Sequence, residues 1–243
     1  MSDQLPERSE SGQPIYRHKP REKPFELAIG DVAHIQLIEG HIAKYIGRPK
    51  TVFHEIMSDL VHIDVHFVPA GPDRNFQTLV TSGMSARAMS VPEGYEDYSY
   101  AELLICLPTR WPVGKQDFKD PRNYWPIRLL KYLARMPHEY GTFLASGHTV
   151  PNGNPPEPFA ANTRFCCALI APIRLSPKEV AELTISPEMK IHFYAVVPLY
   201  KEEMELKLKT GVETLYERFN RQGISELLDI KRRNVAPKMF GLF

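Results

Sequence analysis

The stretch VHIDVHFV at residues 61–68, followed by FQTLVTSG at residues 76–83, decides the fold. In the first stretch every second residue is apolar, so one face of an extended chain is hydrophobic. The segment between them, residues 69–74, holds two prolines, a glycine and an aspartate, which predicts a turn. A third apolar run at 100–107 ends at Pro108. Because only short polar breaks separate successive strands, the sequence favours antiparallel pairing.

Helical patterns flank these strands. A first helix is predicted from an N-cap at Asp31 to a stop at Gly47, with one stripe of isoleucines between them. A second helix carries a buried stripe from Trp125 to Met136. The remaining predicted elements are an alternating stretch from Thr51, a short strand at 142–150, apolar segments at 163–171 and 190–197, a short helix starting at Ser176, and helical patterns over 199–210, 212–221 and 223–229.

The composition is that of an ordinary globular protein, with 43% hydrophobic and 24% charged residues. Lys plus Arg is 30 and Asp plus Glu is 29, so the formal net charge is +1. This balance argues against a dedicated nucleic-acid binder or a binder of anionic membranes, since both concentrate basic residues. No window approaches the roughly 18 uninterrupted apolar residues of a transmembrane helix. We therefore predict that the protein binds neither a nucleic acid nor a membrane.

Residues 1–23 combine prolines and charges with few apolar side chains. Because such a segment buries too little surface to offset its ordering entropy, we predict a disordered or loosely attached tail. It also has no apolar run of the kind that a signal peptide needs, which predicts a cytoplasmic protein. The three cysteines make no disulfide framework, in agreement with that compartment. Without an internal repeat or an obvious linker, residues 24–243 are interpreted as one domain.

His62, Asp64 and His66 form the sharpest polar group in the chain. On a strand their side chains lie on one face. Histidine and aspartate are good ligands for zinc or non-haem iron, and a further ligand would come from elsewhere, such as His148 or His192. The same spacing also arises in an antiparallel strand whose polar face is solvated. Both a metal site and a solvated face are therefore open interpretations.

Motifs for catalysis are weak. The chain has no Gly-x-Ser-x-Gly elbow and no Gly-rich phosphate loop. The adjacent cysteines at 166–167 lack the polar, basic surroundings of a reactive thiolate. Glu202 and Glu203 lie beside Lys201 and Lys207 on a predicted helix, which is typical of a solvated face. We therefore predict no catalytic residues and no cofactor.

The order of these features resembles the Suppressor of fused-like domain family. The resemblance spans about residues 50–235, and several elements in the right order make it more specific than any one of them. The matching elements are HID at 62–64, TLVTSGMS at 78–85, VP at 91–92, AELLICLP at 101–108, WP at 111–112, WPI at 125–127, LAR at 133–135, SGHTV at 146–150, VPLY at 197–200 with Glu203, and LD at 228–229 with Arg232 and Arg233.

Some of the matched positions have a physical reason. Gly83 follows a strand, where a residue without a Cβ permits a positive φ or a close backbone approach. Trp111 and Trp125 offer large apolar bodies that attach a helix to the sheet. Glu102 begins a strand of almost only apolar residues, which predicts burial on both faces of the sheet.

The resemblance implies an α/β (α+β) fold, with a mixed, mainly antiparallel sheet and helices packed on it, and a protein-binding role. In the animal member, which restrains a transcription factor, a partner peptide adds as a strand beside the sheet. His148 stands where the animal protein has an acidic residue that engages a partner histidine, and Met136 replaces an aromatic residue, so the animal peptide specificity is not carried over. The positions that we predict to bind a partner are Met136, His148, Thr149, Tyr200, Arg232 and Arg233.

A chain of this size with one such domain is similar to the bacterial members, some of which resemble immunity proteins that neutralise a toxin. The leading prediction is therefore a non-enzymatic module that binds another protein or peptide, such as a toxin domain. Two alternatives stay open. One is a metal-dependent enzyme built on His62, Asp64 and His66, and the other is an adaptor that docks through its C-terminal helices, residues 212–243.

Overall fold

The computed structural model describes residues 7–19, 21–22, 24–55 and 58–236. Short 3-10 turns within these ranges cover 84–86, 96–98, 117–119 and 178–181. Strands and helices, numbered in chain order, are β1 (Glu7–Arg8), β2 (Pro14–Ile15), α1 (Val32–Tyr45), β3 (Thr51–Phe53), β4 (Asp64–Val68), β5 (Phe76–Ser82), β6 (Tyr100–Pro108), α2 (Pro121–Tyr140), β7 (Thr149–Pro151), β8 (Cys167–Ala171), β9 (Glu182–Ser186), β10 (Met189–Leu199), α3 (Lys201–Thr210) and α4 (Val212–Gln222).

Strands β3 to β10 form one sheet in the order β3-β4-β5-β6-β10-β8-β7, with β9 beside the first half of β10. Among the described residues, β6 and β10 pair in parallel and every other pair in this sheet is antiparallel. Parallel neighbours need a long crossover, and the chain from α2 to β9 provides it. The predicted α/β fold with a mixed, mainly antiparallel sheet is confirmed.

Helices cover both faces of the sheet. Helix α2 packs on one face, and α1 and α4 pack on the other. All residues of β4 and β5 are therefore buried, including Asp64, which is 2% exposed, and His66, which is 0% exposed. The interpretation of this polar group as a solvated face is wrong, because Ile38 and Ile42 of α1 belong to the apolar cluster on that side of the sheet.

The ends of the two long helices follow from their capping residues. Asp31 accepts a hydrogen bond from the backbone N–H of His34 at 3.1 Å, which confirms the predicted start of α1. Asp120 caps α2 in the same way, and Gly141 ends it with a φ of +59°. Helix α2 thus extends beyond the predicted stripe at both ends. None of the helices in the described part of the chain is long and apolar enough to cross a membrane.

Two segments differ from their predicted structure. Of residues 142–150 only the end is a strand, because Gly147 turns the chain with a φ of +88° and donates its N–H to Ile170 C=O at 2.8 Å. Residues 223–229 are not helical. The Cys106 N–H donates to Glu226 C=O at 3.0 Å, and the Leu228 N–H donates to Cys106 C=O at 2.8 Å, so this segment pairs beside β6 instead.

The predicted N-terminal tail contains a small hairpin, in which β1 and β2 pair antiparallel. Ser11 donates its N–H to Leu208 C=O on α3 at 3.0 Å, and the His18 ring stacks on Tyr140 of α2 with centroids 5.1 Å apart. The described part of the tail therefore rests on the C-terminal ends of two helices. The remaining residues of the predicted tail, 1–6, 20 and 23, and residues 237–243 of the predicted domain lie outside the described residues.

Candidate protein-binding surface

Strand β7 forms one border of the sheet and, among the described residues, pairs with β8 alone. The Ile170 N–H donates to His148 C=O at 2.9 Å, and the Asn152 N–H donates to Cys166 C=O at 2.8 Å. Backbone groups in an antiparallel ladder alternate in direction from one residue to the next. The N–H and C=O of Thr149 therefore point away from β8, towards the open side of the strand.

Lys207 of α3 lies beside this strand. Its Nζ donates to Thr149 Oγ1 at 3.4 Å, and the residue is only 9% exposed. Within the described ranges, no carboxylate oxygen lies within 4.0 Å of this ammonium group. Burial lowers the pKa of Lys207, and burial together with the charge of Lys207 lowers the pKa of His148. The cluster of His148, Thr149 and Lys207 is thus largely enclosed and positively charged, and the carboxylate of Glu213 acts on Lys207 only from beyond ion-pair distance.

Tyr200 and Arg232 belong to a second group, at the end of β10. The Tyr200 hydroxyl donates to the Arg232 C=O at 2.7 Å. The Arg232 guanidinium pairs with Glu203, which is 0% exposed, and lies over the rings of Phe165, Tyr200 and Phe219 at 4.8, 5.0 and 5.3 Å. Although Arg232 is a predicted partner-binding residue, the fold itself uses its guanidinium.

The two other predicted partner-binding residues lie in different surroundings. Met136 is 6% exposed and belongs to the apolar cluster beneath α2. Arg233 is exposed and lines a shallow pocket of about 310 Å³ together with Lys231 and Asp229. Of the six predicted positions, Thr149 is the first residue of the open strand β7 and His148 directly precedes it.

The predicted metal ligands are only partly brought together. His66 Nε2 lies 2.8 Å from Ser82 Oγ, on the next strand. The group with metal-ligand proximity consists of His54, His62 and Asp64, whose ligand atoms all lie within 4.8 Å of one another. The predicted set is therefore corrected by exchanging His66 for His54. The antiparallel register pairs Phe53 with Val65, which sets the next residue, His54, opposite Asp64.

The interpretation of the first turns of α3 as a solvated face is wrong for Glu203 and Lys207, whereas Lys201 and Glu202 do reach solvent. Glu203 is 0% exposed and Lys207 is 9% exposed. Glu203 also accepts the N–H of Tyr200 at 3.0 Å and so caps the helix. The spacing of four residues between Glu203 and Lys207 was the available signal, because it places both on one face of a helix.

The fold and the open strand define an α/β domain with a sheet border suited to pairing with another chain. The chain belongs to the Suppressor of fused protein family, whose model matches residues 59–233. The family prediction is thereby confirmed. No protein with curated annotation matches the sequence significantly.

Solved structures of similar fold include three Suppressor of fused proteins. A homologue from Neisseria gonorrhoeae has 18% identity and a TM-score of 0.63, covering 86% of this chain and 100% of the homologue. The Sufu–Fu complex has 16% identity and a TM-score of 0.57, covering 83% of this chain and 92% of the other. Drosophila Suppressor of fused has 14% identity and a TM-score of 0.53, covering 90% of this chain but 52% of the Drosophila chain.

Proposed function

We propose that the chain is a non-enzymatic protein-binding module that binds an extended segment of another protein along β7. The observation that carries this proposal is the outward direction of the Thr149 backbone groups on a strand with a single partner. An edge strand of this kind binds a further strand through main-chain hydrogen bonds on its free side, while neighbouring side chains supply specificity.

The side chains beside β7 favour a segment that carries a carboxylate. Lys207 is a largely buried cation whose hydrogen-bond partner is the neutral hydroxyl of Thr149, and the carboxylate of Glu213 lies beyond ion-pair distance from it. A buried charge is costly unless it is paired, so an aspartate or glutamate of the partner gains more here than at an exposed lysine. His148, whose pKa is lowered, adds a neutral imidazole next to this position.

The relative solved as a Sufu–Fu complex supports a protein partner. The finer part of the proposal is that the partner is a toxin domain and that the chain acts as an immunity protein in a bacterial cytoplasm. This finer part rests on the resemblance to bacterial members of the family that resemble immunity proteins; the Neisseria gonorrhoeae homologue supports only the shared fold. A toxin-like reading frame beside the gene, whose product is harmless only when co-expressed with this chain, is the expected finding. A co-expressed product that stays toxic contradicts this finer part.

The test of the binding mode is selection from a library of displayed, unstructured peptides against the full chain, followed by titration calorimetry of an enriched peptide. We expect enriched sequences with an acidic residue. Thr149→Pro removes the outward N–H, whereas Thr149→Ser keeps both that N–H and the hydroxyl that accepts from Lys207. Lys207→Met removes the cation and keeps most of the apolar stem. Lys207→Met should weaken binding at least tenfold, because a lost charged hydrogen bond costs about 1.5–3 kcal/mol. Thr149→Pro should weaken binding about tenfold, because it leaves a carbonyl group of the bound peptide without its donor, which costs about 1–3 kcal/mol. Thr149→Ser should stay within about threefold of the parent chain.

Three outcomes contradict the proposal: no enrichment of any peptide, an enriched peptide whose affinity is the same for Thr149→Pro and the parent chain, or equal losses for the serine and proline variants. Circular dichroism of each variant verifies that the sheet is intact. If Lys207→Met alone leaves affinity unchanged, the acidic specificity is wrong while strand addition stands.

A further inference from the structure

Three side chains converge at the start of β4, on the far side of the sheet from β7. His54 Nδ1 lies 3.0 Å from Asp64 Oδ2, and His62 Nε2 lies 3.2 Å from Asp64 Oδ1. All ligand atoms of this group fall within 4.8 Å of one another. Two imidazoles and one carboxylate are a common ligand set for zinc, which leaves a fourth position for water.

Asp64 indicates that this group of side chains lacks an interaction partner. Its side chain is 2% exposed, yet its Oδ1 has no hydrogen-bond partner within the described part of the chain. A buried carboxylate oxygen without a donor is costly and is expected to have a proton donor or a cation as partner. The oxygen faces His62, so the missing partner belongs between these two residues.

The hydrogen bonds around His62 indicate which kind of partner is missing. Ser58 Oγ donates to Glu55 Oε2 at 2.9 Å, so it accepts a hydrogen bond from His62 Nδ1 at 2.8 Å. In the neutral imidazole this arrangement places the proton on Nδ1 and turns the lone pair of Nε2 towards Asp64 Oδ1. In that state two acceptors lie 3.2 Å apart, and they repel each other unless a proton or a metal ion lies between them.

This chain of contacts is also the support that metal-ligating histidines normally have. A histidine ligand usually donates its second ring N–H to an oxygen, which fixes the tautomer and the ring orientation. Here Ser58 provides that oxygen, and Glu55 is held in turn by Arg135. His54, with 68% of its side chain exposed, leaves the site accessible from solvent.

We propose that His54, His62 and Asp64 bind a divalent transition metal, with Zn²⁺ the best match to two imidazoles and one carboxylate. Zinc lies about 2.0–2.2 Å from nitrogen and oxygen ligands, so the present separations need only small side-chain shifts. The site differs from the set His62, Asp64 and His66, because His66 is buried and bonded to Ser82. It is independent of the binding mode proposed for β7.

The test uses the full chain without a histidine tag, stripped with a chelator and titrated with zinc sulfate by calorimetry. We expect one Zn²⁺ per chain and a zinc-dependent rise in melting temperature. His54→Gln, a substitution at an exposed position, should weaken zinc binding at least tenfold and remove the rise. His18→Gln, outside the group, is the matched control and should bind as the parent does. Asp64→Asn should abolish binding, with circular dichroism as the measure of its folding.

Absence of stoichiometric binding by the parent chain overturns the proposal. A zinc affinity of His54→Gln equal to that of the parent chain also overturns it. So does a zinc affinity that falls as much in His18→Gln as in His54→Gln. Both results indicate an adventitious ion only. Loss of binding in His66→Gln together with full binding in His54→Gln would assign the metal to the other set of ligands and would also overturn it.

Discussion

Arg232 and Glu203 form a bidentate ion pair inside the fold, with Nη1 2.6 Å from Oε1 and Nη2 2.6 Å from Oε2. The two residues join the C-terminal segment to the first turn of α3. Glu203 also accepts the N–H groups of Tyr200 and Val235 at 3.0 Å, so the carboxylate organises three segments at once. Because α3 also carries Lys207, this ion pair fixes the helix that borders β7.

Arg232→Ala should therefore lower the free energy of unfolding. Removing the arginine leaves the fully buried carboxylate of Glu203 without its cation, which costs about 3–5 kcal/mol. Urea unfolding followed by circular dichroism measures the change. Arg233→Ala is the matched control, since this side chain is exposed and should change the free energy of unfolding by less than about 0.5 kcal/mol. A stable Arg232→Ala chain would instead favour a role for Arg232 in binding a partner.

Gly83→Ala should destabilise the chain by about 3 kcal/mol or more, because a Cβ there would lie 1.9 Å from the His62 carbonyl oxygen. The turn cannot easily shift, since the N–H groups of Gly83 and Ser85 donate to the buried Glu102 at 2.9 and 3.0 Å. Gly94→Ala separates the steric overlap of an added Cβ from the cost of a positive φ. Gly94 also has a positive φ, of +84°, but nothing lies within 4 Å of its added Cβ. It should cost only about 1–2 kcal/mol, and equal losses in thermal unfolding would exclude the steric explanation.

His138 should make the stability of the fold sensitive to acid. Burial lowers its pKa from 6.5 to about 4, and its Nε2 lies 2.9 Å from the Met84 C=O as a donor. Between about pH 4 and pH 6.5, His138 binds a proton in the unfolded chain but not in the folded chain. The free energy of unfolding is therefore highest above pH 6.5 and falls as the pH falls towards about 4. The loss is at most about 3 kcal/mol.

His138→Gln keeps an N–H donor for Met84 but does not titrate. Urea unfolding at about pH 7 and about pH 4.5 should therefore show a smaller loss for this variant than for the parent chain. Other acid-sensitive groups are common to both chains, and the difference between them isolates His138. Equal losses in both chains would contradict the role given to this residue.

Local periodicity was sufficient to predict the elements that bury a strong apolar stripe. Helix α1 with its Asp31 cap and strands β5 and β6 lie where the pattern places them. The pattern wrongly predicted a helix at residues 223–229. Apolar residues recur there at helical spacing, but the segment pairs with β6 through its main chain. Leu228 and Glu226 bond to Cys106 through the main chain, and main-chain pairing leaves no signature in side-chain spacing.

The candidate sites were harder to predict because both depend on contacts between distant segments. The pattern located His62 and Asp64 but not His54, which reaches them only through the register between β3 and β4. Lys207 was interpreted as solvated, because helical spacing reveals which residues share a face but not which face is covered. Thr149 and His148 were predicted from the family resemblance, and the open side of β7 depends on the order of the strands in the sheet.

The most direct test of the account is amide hydrogen exchange at Thr149, measured by NMR with and without a peptide selected on the full chain. We expect the Thr149 N–H to exchange rapidly in the unbound chain and at least tenfold more slowly in the complex. The Val150 N–H, which faces β8 in the alternating ladder, should be protected in both states. A Thr149 N–H that is already protected without peptide, or one whose exchange is unchanged by bound peptide, would contradict strand addition at β7.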